Sequence, residues 1–356
     1  MFSLPMLEHQ LVMYVTSSGR DNFSTPFDLS SVPIVTREQA HAEERTKKLT
    51  TALPTLKAPS TGPKKTDAAR STQGSAESIA AATAAAQKYS AALQAVPEIA
   101  AYGQVLKSSP VVELTESETE YVVTAIKHVF AGAIVLQFDV KNTLPATVLL
   151  DVSIVCVPQD EEGQLEEDFI VPIPRLDTDV PGTAYVVFKR TDDSAVAVAA
   201  SFTNILKFTS KEIDPATNEP EEGDGYEDEY QVEDLDLTGA DFVVPAYAGN
   251  FDTVFAEISA AGGDEATETL QLSAVKSLPD ATESLIKALG MQPLEGSETP
   301  SNNSTHVLKV LGKSVKGGKV AGLVRMAYSA KSGVTVKIVV RSEEDGIAGL
   351  VVAAVA

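Results

Sequence analysis

The sequence predicts a mainly β protein with an α+β part: an immunoglobulin-like β-sandwich followed by an α+β platform, preceded by a disordered linker. Three observations predict it. Ile134, Leu136, Phe138 and Val140 alternate with Val135, Gln137, Asp139 and Lys141, and Leu150, Val152, Ile154 and Cys156 alternate with Asp151 and Ser153, which is the period of half-buried strands. After residue 245 the period changes, with Phe251, Val254, Phe255 and Ile258 spaced as one face of a helix. Residues 18–75 are rich in Ser, Thr, Pro and Lys and keep no period at all.

Four segments follow in order. Residues 1–17 read as a terminal helix, with Ser3 as N-cap, Pro5 in the first turn and Leu7, Leu11, Tyr14 and Val15 on one face. So short a helix is marginal alone in water and needs a partner surface. Residues 18–110 read as a flexible linker holding one weak, alanine-rich helix at 75–95, whose Ile79, Tyr89 and Leu93 are too sparse for a wide apolar stripe.

Residues 111–242 read as the sandwich, with strands at 121–130, 134–140, 150–156, 169–173, 183–190 and 195–207. Cys156 lies on the inward series and is expected in the core, and His128 is expected to be a satisfied strand histidine. The acidic stretch 223–241 is expected to be a solvated loop that settles into a last edge strand and hands the chain on.

Residues 243–356 read as the platform. Asn250 caps its first helix, and a second helix runs from Pro279 to Leu289, closed by Gly290. Strands are expected at 268–273, 306–311, 319–328, 334–341 and 346–355, forming a sheet with helices on one side.

Composition excludes several function classes. The 356 residues include one cysteine, which cannot form an internal disulfide and fits the cytosol, and no apolar run is long enough to span a membrane. The net charge of −22 falls on the sandwich: residues 111–245 carry 7 basic and 29 acidic groups. Such a field opposes nucleic acid, which needs a basic footprint. The four histidines are scattered, and the acidic stretch lacks the register of a calcium loop, so no metal or cofactor is expected. Gly312-Lys-Ser has Val307 where a nucleotide loop needs glycine, and no nucleophile elbow is present. The chain is not expected to be an enzyme.

One electrostatic feature has the opposite sign. Between Ser301 and Arg341 lie eight basic residues and no acidic one. Strand parity turns Lys337 and Arg341 away from the apolar series Val334, Val336, Ile338, Val340, and Arg325 away from Val324, Met326, Tyr328. The bland alternative is a solvated sheet face; the sharper one is a docking face for acidic segments. As an exposed charge, Arg341 is expected to contribute little to stability.

Gly225-Tyr-Glu-Asp-Glu-Tyr-Gln-Val-Glu-Asp-Leu235, with Leu114-Thr-Glu-Ser-Glu-Thr-Glu-Tyr-Val122 and Phe138-Asp-Val-Lys-Asn-Thr-Leu144, resembles the appendage of the coatomer gamma family. The resemblance implies a non-catalytic structural and adaptor subunit of the COPI vesicle coat, acting at the cytosolic Golgi face in Golgi-to-ER and intra-Golgi transport. It implies other coatomer subunits and an Arf GTPase-activating protein as partners, peripheral Golgi membrane association through the coat, and a helical-solenoid trunk of which residues 1–17 are the end. The family's platform site uses a helix aromatic, tryptophan in relatives, and two arginines. Here the match puts Phe255 at the aromatic position and Arg325 and Arg341 at the arginines, and strand parity adds Lys337 on the face of Arg341. The chain has no tryptophan, and Phe255 fits a surface anchor or a core role. The alternative is an acidic protein-binding module outside any coat.

Overall fold

A computed structural model describes residues 89–159, 163–191, 197–214, 216–217 and 219–355. The expected helix at 1–17 and linker at 18–75 lie outside the described residues. The chain enters through a helical stretch at 89–94 and a short α1 (Pro97–Ala100).

Eleven strands follow: β1 (Lys107–Ser108), β2 (Val112–Glu113), β3 (Tyr121–Val129), β4 (Ala133–Asn142), β5 (Thr147–Gln159), β6 (Leu165–Val171), β7 (Ile173–Leu176), β8 (Pro181–Arg190), β9 (Ala200–Asp214), β10 (Glu219–Pro220) and β11 (Tyr226–Leu237). They form two antiparallel sheets. One runs β1-β3-β4-β8-β6 with β2 also on β3, and the other runs β10-β9-β5-β7 with β11 also on β9. Their facing side chains, among them Phe138, Ile154, Phe188 and Phe202, make the sandwich core.

The first sheet is buried on both faces over part of its length, because the entering segment lies across its outside. Leu93 and Ile99 pack there against Phe130, Val135 and Val187. This is why β4 reads as a continuous apolar run at its start instead of an alternation.

Two sequence expectations are corrected here. Leu150 was expected inward, but the β5–β9 register shifts between Leu150 and Ser153, where Asp151 takes φ 51°, so Leu149 is buried and Leu150 only half-buried. A bulge of this kind breaks period 2 by one residue. In the acidic stretch the edge strand is present but starts earlier than expected: the loop ends at Gly225, and Tyr226 to Leu237 pairs with β9 apart from a break at Glu233 and Asp234, because Tyr230, Val232, Leu235 and Leu237 dock on the sandwich core and carry the carboxylates with them.

A 3-10 turn at Gly239–Phe242 leads into the platform. Lys127 of β3 reaches it, pairing with Asp241 at 2.7 Å and donating to the Asp236 carbonyl. Lys107 donates to the carbonyls of Ala240 and Val243. Burial pushes the Lys107 pKa down to about 8, countered by the nearby Asp241 carboxylate. Sandwich and platform share one continuous apolar cluster through Leu237, Phe242 and Val351.

The platform holds β12 (Val243–Pro245), α2 (Phe251–Ala260), β13 (Asp264–Leu272), α3 (Leu278–Leu289), β14 (Gln292–Pro293), β15 (Thr305–Ser314), β16 (Lys319–Ser329), β17 (Gly333–Ser342) and α4 (Ile347–Ala353). The sheet order is β12-β15-β16-β17-β13, with β14 also on β15. Side chains of even number on β15 to β17, such as Leu308, Val324, Val336 and Ile338, pack in the shared core with Leu285 of α3 and Val351 of α4.

The other face receives α2, whose Phe251 and Ile258 bury against Leu311 and Ala321. Helices therefore cover both faces of the sheet, not one. The expected strand at 346–355 is likewise a helix. β17 already has β16 and β13 as neighbours, leaving no edge beside it, and Ile347, Ala348, Val351 and Val352 fall on one helical face.

Candidate protein-docking face of the platform

The α2 face of the sheet is covered only at one end. Three of its cross-strand rows build the site. Under α2 lies the row Leu311, Ala321, Arg341, Glu265; beside the helix lies Lys309, Leu323, Val339, Thr267; beyond it, in the open, lies Val307, Arg325, Lys337, Thr269.

Asn250 begins α2 by accepting the Thr253 amide with its side chain, which fixes where Phe251 and Phe255 enter. Phe251 is fully buried and Phe255 half-buried, their rings stacked at 5.2 Å. Phe255 is thus neither fully buried nor fully exposed: Phe251 stacks on its ring and Arg341 lies over it.

Arg341 does not point freely outward. Its guanidinium carbon lies 4.0 Å from the centre of the Phe255 ring, Nη1 donates to the Phe255 carbonyl at 2.9 Å, and Nε donates to Glu265 at 2.6 Å. A cation on a ring face, closed by a carboxylate, is a brace between helix and sheet. The expectation that Arg341 contributes little to stability is corrected accordingly.

Lys309 is engaged in the same way. It meets Glu295 at 2.8 Å and Asp252 at 3.0 Å, near the Phe251 ring. That ion pair and the Phe251 amide hold Glu295 below the usual carboxylate range, and the two carboxylates hold Lys309 above the usual lysine range. The basic run contains no acid in sequence, but the fold brings acids to it from α2, β13 and the segment after β14.

Arg325 and Lys337 are different. Both are exposed, and among the described residues neither has an ion-pair partner. They stand directly opposite one another on β16 and β17. Like charges in that register repel, and an anion laid across them relieves the repulsion. Beside them Val307 is 44% exposed and Leu323 half-buried. Val307 was missed from sequence, although it breaks parity with His306 and Leu308 and so signals an apolar residue on the open face.

The fold brings Phe255, Arg325, Lys337 and Arg341 to one surface, with Arg341 as the brace and Arg325 and Lys337 as open cations. Among the described residues no group of three His, Cys, Asp or Glu side chains converges as metal ligands, and no helix is long and apolar enough to cross a membrane.

A β-sandwich fused through a short joint to a helix-flanked platform defines an appendage module. Residues 87–238 match the coatomer gamma subunit appendage platform subdomain, and residues 240–355 match the coatomer subunit gamma-1 C-terminal appendage platform. The chain is 39% identical over 99% of its length to a probable coatomer subunit gamma of Schizosaccharomyces pombe, and 34% identical over 96% to coatomer subunit gamma of Saccharomyces cerevisiae, in each case covering 37% of the relative. It is 40% identical to human coatomer subunit gamma-2 over 71% of this chain and 28% of that protein. The chain belongs to the coatomer gamma family. It spans little more than a third of the length of these relatives.

Proposed function

We propose that this chain acts as a non-catalytic structural and adaptor part of the COPI vesicle coat, at the cytosolic Golgi face, in Golgi-to-ER and intra-Golgi transport. Its platform docks accessory proteins, an Arf GTPase-activating protein first among them. Family membership supports the coat role. The docking role rests on one observation: Arg325 and Lys337 oppose each other without a carboxylate partner among the described residues, with exposed Val307 opposite Arg325 in the same cross-strand row. An acidic segment with an apolar anchor satisfies both features, its carboxylates bridging the two cations while the anchor covers Val307 and Leu323.

Calorimetric titration with an Arf GTPase-activating protein tests the docking role. The double variant Arg325→Glu, Lys337→Glu is expected to lose more than about tenfold in affinity while keeping the parent melting temperature. Unchanged affinity in the folded variant overturns it. Co-purification with other coatomer subunits tests the coat role, and its absence overturns that part alone.

A further inference from the structure

Among the described residues, outer strands are short, broken or interrupted by proline, with one exception. β10, β12 and β14 end in Pro220, Pro245 and Pro293, and β7 is four residues long with Pro174 inside it. β6 and β11 carry register breaks, between Glu167 and Phe169 and between Val232 and Leu235. These are the devices by which proteins prevent an edge from recruiting another strand.

β13 has none of these three; its one safeguard is the inward-facing charge of Glu268, which a cation on an added strand would meet. It pairs with β17 through nine consecutive residues, Asp264 to Leu272, without a bulge, a proline or a lysine, and among the described residues it pairs with no other strand. Its outer backbone groups form an unbroken row. On the helix side Ala266, Leu270 and Leu272 are only partly buried against the core.

Its charges are all acidic, and two are already used. Asp264 accepts the Gly346 amide at the start of α4, and Glu265 holds Arg341. Glu268 remains, half-buried between Ala266 and Leu270 on the helix side and without an ion-pair partner among the described residues.

We infer that the free edge of β13 is a strand-addition site. Its occupant is an extended segment of another protein, with apolar residues opposite Ala266 and Leu270 and a Lys or Arg between them opposite Glu268. Backbone hydrogen bonds supply affinity and the alternating side chains supply selectivity. A second copy of this chain is the poorer occupant, because full antiparallel overlap of two β13 strands sets Glu268 against Glu268. The site uses the sheet edge and is independent of the docking face above.

The probe is the capped nonapeptide Val-Thr-Val-Thr-Lys-Thr-Val-Thr-Lys, titrated into the full chain while amide exchange is followed. Saturable binding is expected, with slowed exchange at alternate amides of 264–272. Replacing the central lysine of the peptide by glutamate is expected to weaken binding at least about fivefold, as a like-charged cross-strand pair does. Glu268→Lys in the chain is expected to reverse that preference, with the melting temperature confirming that it folds. Absence of saturable binding, protection confined to another segment, or an unreversed preference overturns the proposal. So does light scattering that shows a dimer whose β13 amides are protected without peptide.

Discussion

Arg341 and Arg325 lie on the same sheet face, on the neighbouring strands β17 and β16. Arg341 is held by an aromatic ring, a carbonyl and Glu265, and its side chain is 22% exposed. Replacing it by glutamate removes the ring contact and sets two carboxylates together. Arg341→Glu is therefore expected to cost about 2 kcal/mol and lower the melting temperature by about 5 °C, whereas Arg325→Glu leaves it unchanged. Parallel thermal melts check this. His128 offers a second test at this scale. It is fully buried, bonded to Ser108 and Gln137, and burial pushes its pKa from 6.5 down to about 4. The unfolded chain then binds the extra proton between those values, so stability rises with pH from about 4 to 6.5 and the contribution is lost on acidification. The shift corresponds to about 3 kcal/mol at neutral pH. Urea titrations of the parent and His128→Asn should diverge by about that amount from pH 4 to 6.5 and run parallel above it.

The joint and the last helix carry the predictions at the scale of elements. A Cβ at Gly239 would stand 2.4 Å from the carbonyl carbon of Leu350 and 2.6 Å from its oxygen. The 3-10 turn can lie against α4 only because this position is glycine. Gly239→Ala is expected to cost about 1–3 kcal/mol through overpacking. Gly349 is inside α4, and a Cβ there meets nothing within 4 Å. Gly349→Ala is expected to stabilise by about 0.5–1 kcal/mol through helix propensity and a less flexible unfolded chain. Opposite signs in the melts of these two variants distinguish a steric contact from a general intolerance of change in the region.

On the scale of the molecule, sandwich and platform share one apolar cluster and one buried ion pair. The Lys127 and Asp241 side chains are only 9% and 10% exposed, so removing one leaves the other charged and buried. Asp241→Ala is expected to cost about 3–5 kcal/mol. It should also shift a single unfolding transition as a whole, since both parts lose the same joint. Calorimetry showing two transitions in the parent chain would contradict a common core.

Much of this architecture is present in local sequence. Period 2 in 150–156 and period 3.6 in 251–258 mark strand and helix because one face of each turns to the core, and the ordered motifs at 114–122 and 225–235 carry the family. By itself the sequence determined the sandwich, the platform, the core place of Cys156 and the basic character of one strand set. The tertiary structure decided what locality cannot hold. Whether 346–355 is strand or helix depended on the vacancy beside β17, and whether β4 alternates depended on Leu93 and Ile99 arriving from outside. Which cations stay open depended on acids distant in the chain: Glu265 reaches Arg341 across 76 positions and Asp252 reaches Lys309 across 57. Charge pairing acts through space within a few ångströms, so a run that is purely basic in sequence includes, once folded, the held cations Lys309, Lys319 and Arg341 beside the open pair Arg325 and Lys337.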